Sequence, residues 1–118
     1  MNFKKINNLT GWIVFAISLA TYALSREARG SLWDCGEFVA CAFKLGMPHP
    51  PGAPMFTLLG RFFIILFGDN PNTVASAVNF MSAAASAGTI IFLFWTITHF
   101  GRKLITNNHI FEITAPQT

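Results

Sequence analysis

In the stretch SLWDCGEFVACAFKLGMPHPPGAP, Ser31 to Pro54, Asp34 and Glu37 stand three residues apart and a His-Pro-Pro-Gly run follows. A positioned carboxylate can take the proton from an attacking hydroxyl. Arg29, Lys44 and Arg61 lie in the same part of the chain, and such cations suit a phosphate. The flanking sequence is uncharged and apolar, so a carboxylate here is expected to be partly desolvated. Desolvation raises its pKa and makes it a usable base. Acid, base and lipid side by side are what a lipid-phosphate substrate requires. His49 could face the acids or hydrogen-bond backbone, and spacing alone favours backbone. A purely structural reading also stands: Asp34 completes a capping box, while Glu37 and Lys44 are merely solvated.

These residues need short elements to hold them. Ser31-Leu32-Trp33-Asp34 fits a helix start, with Ser31 as N-cap and an acid at the third position. Gly46 and Pro48 supply the stop. A helix over 31–45 puts Asp34, Glu37, Cys41 and Lys44 on one side and lets Trp33 and Phe38 sit in a membrane interface. Pro50 forces His49 out of helical geometry, and Gly52 frees the chain to enter a second helix near Pro54. That helix, over 53–67, is about 23 Å long, short of the ~30 Å hydrocarbon core. Arg61 at its centre costs ~2.5–3.5 kcal/mol on insertion scales. Thr57 and Arg61 give it a narrow polar stripe. The expectation is an interfacial or re-entrant helix rather than a third span.

Composition agrees with a membrane setting. Of 118 residues, 53% are hydrophobic and only 11% charged, and the thirteen phenylalanines exceed what so short a soluble chain can bury. The net charge of +3 is too small, and too scattered, to argue for nucleic acid. Cys35 and Cys41 would stand about 9 Å apart by rise on one helix, too far for a disulfide, and no Cys/His spacing suggests zinc.

Residues 6–25 are uncharged and long enough to span. A signal peptide is the rival reading, because Ala23-Leu24-Ser25 resembles a cleavage site; Trp12 and Tyr22 favour an interface-anchored span. A second span is expected over 72–100, started by Asn70-Pro71 and closed by Gly101, Arg102 and Lys103. In it Ala75, Asn79, Ala83 and Ala87 fall four apart, a stripe where another helix can approach closely. Residues 104–118 read as a loop-like cytoplasmic tail. Two spans put both termini on one side, with Lys4, Lys5, Arg102 and Lys103 in the cytoplasm, although the connecting segment holds as many basic residues. The fold class is therefore an all-α membrane protein: two transmembrane helices joined by an outer loop that carries two juxtamembrane helices.

The pattern WDCGEFVACAFKL…HPPGAPMFTLLGRFF, followed by VNFMSAAASAGTIIFLFWTI, closely resembles the start of bacterial proteins in the family long designated domain of unknown function 2723. That family includes the transmembrane protein 260-like O-mannosyltransferases and is classed as glycosyltransferase family 117. The likeness covers roughly residues 5–103 and resembles the opening module of GT-C glycosyltransferases. It implies sugar transfer, with inversion, from a polyprenyl-phosphate-linked donor to a hydroxyl at the outer membrane face. By position, Asp34 is the implied base and Glu37 the second candidate. Arg61, and after it Arg29, Lys44 and His49, would meet the donor phosphate. No cofactor is implied; a divalent ion is compatible with the two carboxylates. The expected partners are membrane lipid, the polyprenyl-phosphate sugar donor, and the remaining spans of a larger enzyme or a partner subunit. The expected location is a bacterial inner membrane with the active loop facing the periplasm.

Family members are far longer, so a chain of this length is expected to be inactive alone, as a fragment, a split product or a subunit. Two other functions compete. A small non-enzymatic membrane protein could pack through its Ala/Ser-rich face into a larger complex. A proton or ion path could use Asp34, Glu37 and His49.

Overall fold

The structure is a computed structural model that describes residues 2–27, 29–30 and 33–114, with side chains as far as residue 107. Its elements are helices: α1 (Phe3–Ser25), α2 (Cys35–Lys44), α3 (Pro54–Leu66) and α4 (Val74–Thr114). Two of them, α1 and Val74–Asn107 of α4, are long and apolar enough to cross a membrane. Only 6% of the most apolar stretch of α1 and 22% of that of α4 is buried within the chain. Core helices of a soluble protein would be mostly covered. These present Ile13, Ile17, Phe92 and Ile97 outward instead, as lipid-facing helices do. The protein is an all-α membrane protein.

The chain forms two compact units. The first comprises Met1–Ser18 and Ala87–Thr118. In it Gly11 lies against Trp95 and Phe3 against Arg102, so these parts of α1 and α4 run antiparallel. Gly11 is the buried residue of α1. A Cβ there would overlap the Trp95 indole, so only glycine permits the approach. Trp12 packs edge-on against the same indole, centroids 6.1 Å apart. Trp95 Nε1 is buried there with no hydrogen-bond partner among the described residues.

The second unit is Leu19–Ser86. Its core is Ala42 of α2, Ile64 of α3, and Val74, Ala77, Val78 and Met81 of α4. Gly60 lets α3 meet α2 closely, since a Cβ at Gly60 would stand 2.9 Å from that of Ala42. Thr57, expected on a polar stripe, is buried, and its hydroxyl donates to the carbonyls of Ala53 and Pro54. Such back-bonding satisfies a hydroxyl on a packed face. The outer face of α3 exposes Met55, Leu58, Phe62 and Ile65. With 13 residues α3 is about 20 Å long, too short to cross alone.

Several boundaries differ from expectation, each for a local reason. The Ser31 N-cap falls outside the described residues. Asp34 itself occupies the N-cap position of α2, and its side chain makes no capping hydrogen bond. At the other end, the left-handed turn falls on Leu45 (φ 52°) rather than on Gly46, whose N–H donates to the Cys41 carbonyl. Asn70 does start the next element. Its Oδ1 accepts the Asn72 N–H, and its carbonyl accepts those of Thr73 and Val74, so a turn precedes α4 proper. The expected loop from Leu104 is instead helix through Thr114. A lone glycine costs a helix only ~1 kcal/mol, and the residues after Gly101 are mostly helix-compatible, so Gly101 does not end it. Of the alanine stripe, Ala83 and Ala87 are buried within the chain itself.

Candidate functional site

The start of α2 carries Asp34 at its N-cap and Glu37 in its first turn. The turn after α2 swings back and places His49 against Glu37. Two bonds hold it: the His49 N–H donates to Glu37 Oε1 at 2.7 Å, and His49 Nδ1 lies 2.9 Å from Glu37 Oε2. Phe38 sits edge-on to the His49 ring, centroids 6.1 Å apart, and packs likewise on Phe56. His49 therefore faces the acids, not backbone alone as its spacing suggests. Asp34, Glu37 and His49 each offer an oxygen or nitrogen within 4.8 Å of the others, and all three are exposed.

Exposure changes the expected electrostatics. The side-chain hydrogen bond from His49, then that from its backbone N–H, hold the Glu37 carboxyl below the usual carboxylate range. That is opposite in direction to the desolvated, raised carboxylate expected from the sequence. The same bond to Glu37, then its charge, and to a smaller degree that of Asp34, raise the His49 imidazole. Glu37 is thus a poor base and His49 a readier cation. The Asp34 side chain makes no hydrogen bond among the described residues. The three ligand atoms, two oxygens and a nitrogen, permit a divalent ion. An ion there would replace the Glu37–His49 hydrogen bond, and nothing in the geometry requires one.

The basic candidates are placed differently. Arg61 is half-buried and makes a two-pronged bond to Asp69, at 2.6 and 2.9 Å, while also donating to the Phe43 carbonyl at 2.8 Å. Gly68 (φ 100°) and Asp69 (φ 48°) turn the chain back after α3 and aim that carboxylate at Arg61. Arg61 thereby ties α3 to the end of α2 and is not brought to the carboxylate group. Lys44, in the last turn of α2, and Arg29 are exposed.

Sequence reasoning did not single out Arg26. Its guanidinium donates to the backbone and hydroxyl oxygens of Ser76, and it lies 5.5 Å from the Phe80 ring centroid. Asn79 donates to the Glu27 carbonyl at 2.8 Å, so the segment after α1 is fastened to the start of α4. The signal was available: a charge at the end of a long apolar run needs partners. Beside the carboxylate group, Cys35, Phe38, Val39, Phe56, Asn79 and their neighbours line a largely apolar cleft of 400 Å³.

Acids displayed on a short helix, in a chain with two helices able to cross a membrane, make this an all-α membrane module. Residues 34–117 match the family described as the protein O-mannosyl-transferase TMEM260 N-terminal domain, and the chain belongs to that family, related to GT-C-type glycosyltransferases. It is similar to the protein O-mannosyl-transferase tmem260 of Dictyostelium discoideum, 32% identical over 97 residues that cover 82% of this chain and 11% of that protein. It is also similar to the mouse protein O-mannosyl-transferase TMEM260, 37% identical over 84 residues, covering 71% of this chain and 12% of that protein. The chain thus spans about a tenth of the length of these relatives. No solved structure matches. The matched region includes Asp34, Glu37, Lys44, His49 and Arg61 but not Arg29.

Both relatives are eukaryotic. The expectation of a bacterial inner-membrane protein with its loop in the periplasm is corrected by that finding. Apolar length and loop charge report that a chain meets a membrane; they carry no information on whose membrane it is.

Proposed function

We propose that this module supplies the acceptor-activating base of a membrane glycosyltransferase. The enzyme moves a sugar from a polyprenyl-phosphate-linked donor to a hydroxyl. The sugar is mannose by analogy with the names of the relatives. The observation that carries the reading is the division of labour between the two carboxylates: Glu37 is bonded to His49, while Asp34 beside it has no such partner among the described residues. In the reaction the acceptor oxygen bonds to the anomeric carbon as its proton passes to Asp34. The bond from that carbon to the phosphate oxygen breaks, and polyprenyl phosphate leaves with inversion. His49, its positive form favoured by Glu37, steadies the leaving phosphate, with Lys44 and Arg29 as further cations. Arg61 would reach a phosphate only by releasing Asp69. The apolar cleft lined by Phe38 and Phe56 suits the first prenyl units.

In this reading both termini are cytoplasmic and residues 26–69 face the outer side, where the remaining spans of a larger enzyme complete the site. The test is Asp34→Asn in the membrane-embedded transferase that carries this module. Asparagine keeps the size and the capping capacity but takes no proton. Sugar transfer should fall at least ~100-fold, as loss of a general base does, with insertion unchanged. Glu37→Gln should lose ~10-fold or less. Near-normal transfer by Asp34→Asn removes this residue from the mechanism.

A further inference from the structure

Up to Asn107 the first unit carries charge of one sign. From Asn2 to Ser18 and from Ala87 to Asn107 the sequence holds Lys4, Lys5, Arg102 and Lys103 and neither Asp nor Glu. No ion pair forms there among the described residues. The cations are also gathered. The Arg102 guanidinium stands 4.9 Å from the Phe3 ring centroid, which fixes its direction without neutralising it. On one side Arg102 borders a cleft of 430 Å³ that Lys4, Asn7, Asn8 and His99 also line. On another it borders a cleft of 580 Å³ with His99, Lys103 and Asn107. A third cleft, of 450 Å³, meets Arg102 where Phe3 and Ile105 make it apolar.

These groups sit where the uncharged runs of α1 and α4 begin and end, after Lys5 and before Arg102. That is the depth at which lipid phosphates lie. We propose that the basic cleft around Arg102 binds the phosphate headgroup of an anionic phospholipid. Arg102, Lys4 and Lys103 carry the charge, the amides of Asn7 and Asn8 donate hydrogen bonds, and an acyl chain follows the apolar cleft by Phe3 and Ile105. Basic pockets between membrane helices are suited to such headgroups. The adjoining apolar cleft favours a lipid over a free phosphate, which has no use for it.

The chain, purified in a neutral detergent, is titrated with dioctanoyl phosphatidic acid, with dioctanoyl phosphatidylcholine and with inorganic phosphate. The reporter is the tryptophan fluorescence of a Trp12→Phe, Trp33→Phe background, which leaves Trp95, lining the cleft, as the emitter. Saturable binding at least ~10-fold tighter to phosphatidic acid than to phosphatidylcholine is expected. Removing a phosphate-facing cation near the bilayer surface is worth about 5-fold or more. Arg102→Ala and, separately, Lys103→Ala should each weaken the anionic lipid by that factor. Lys5→Ala, which lines none of the three clefts, should change it less than 3-fold on the same scale. Two variants guard against one that fails to fold, with helicity by circular dichroism as the check. Equal affinity for the two lipids overturns the proposal, as does an unchanged affinity in both Arg102→Ala and Lys103→Ala. Inorganic phosphate binding as tightly as phosphatidic acid also overturns it, since the site would then take phosphate and not lipid.

Discussion

The two units are each held by a close approach over a glycine, but the approaches differ in kind. In the first, Gly11 receives a whole indole, with Trp95 seated where a side chain would be. In the second, Gly60 meets the methyl groups of Ala42 and Val78, and the added strength comes from charge: Arg61 binds Asp69 and the Phe43 carbonyl, and Arg26 binds Ser76. Over residues 2–18 and 87–107 the first unit has cations without acids; the second pairs Arg61 with Asp69 and His49 with Glu37. The lesson is that polar fastening is concentrated where short helices and turns must hold a site. The long apolar helices rely on shape.

That comparison breaks most visibly at Gly11. Gly11→Leu should cost about 3 kcal/mol, the upper range for overpacking, because the Trp95 indole has to leave its seat. Denaturation in mixed micelles, followed by tryptophan fluorescence, reads it. Arg61→Ala should cost about 1.5 kcal/mol, since the pair with Asp69 is partly exposed and surface pairs are weak, while loss of the bond to Phe43 adds to it. Arg61→Lys should recover only part, because lysine lacks the two-pronged geometry. Gly60→Ala should cost about 1 kcal/mol: the new methyl crowds Ala42, and the gain in helix propensity offsets some of the loss. If Gly60→Ala proved more damaging than Gly11→Leu, shape would be the stronger fastening in the second unit, and the contrast would fail.

Much of the fold was legible in the sequence for plain reasons. Uncharged length gave the two long helices, and Pro54, Asn70 and the Gly46–Gly52 turn marked the short ones to within a few residues. What stayed hidden depends on tertiary contact. Gly101 looks like a stop and is not, because one glycine is a small cost in a long helix. Gly11 looks like any glycine until Trp95, far along the chain, lies against it. The residue types of the candidate site were readable, but their pairing was not. Glu37 and His49 meet only because Leu45 takes a left-handed turn that reverses the chain, and the Arg61–Asp69 bond depends in the same way on Gly68 and Asp69.

The central claim is that Glu37 is held by His49 and Asp34 is left as the base. The pair sets its own pH window. Glu37 is shifted down, so its contribution is present above ~4.3 and fades as the pH falls through the lowered value. His49 is shifted up, so its contribution is present below ~6.5 and is lost as the pH climbs through the raised value. The pair should therefore hold across that interval and somewhat beyond each end. The direct measurement is an NMR titration of the His49 imidazole in the parent chain, in Glu37→Gln and in Asp34→Asn, assigned with His49→Gln. The account predicts that Glu37→Gln returns the imidazole toward its ordinary pKa, while Asp34→Asn moves it little. A larger drop in Asp34→Asn than in Glu37→Gln would contradict it, for then Asp34 would be the histidine's partner and Glu37 the carboxylate left to act.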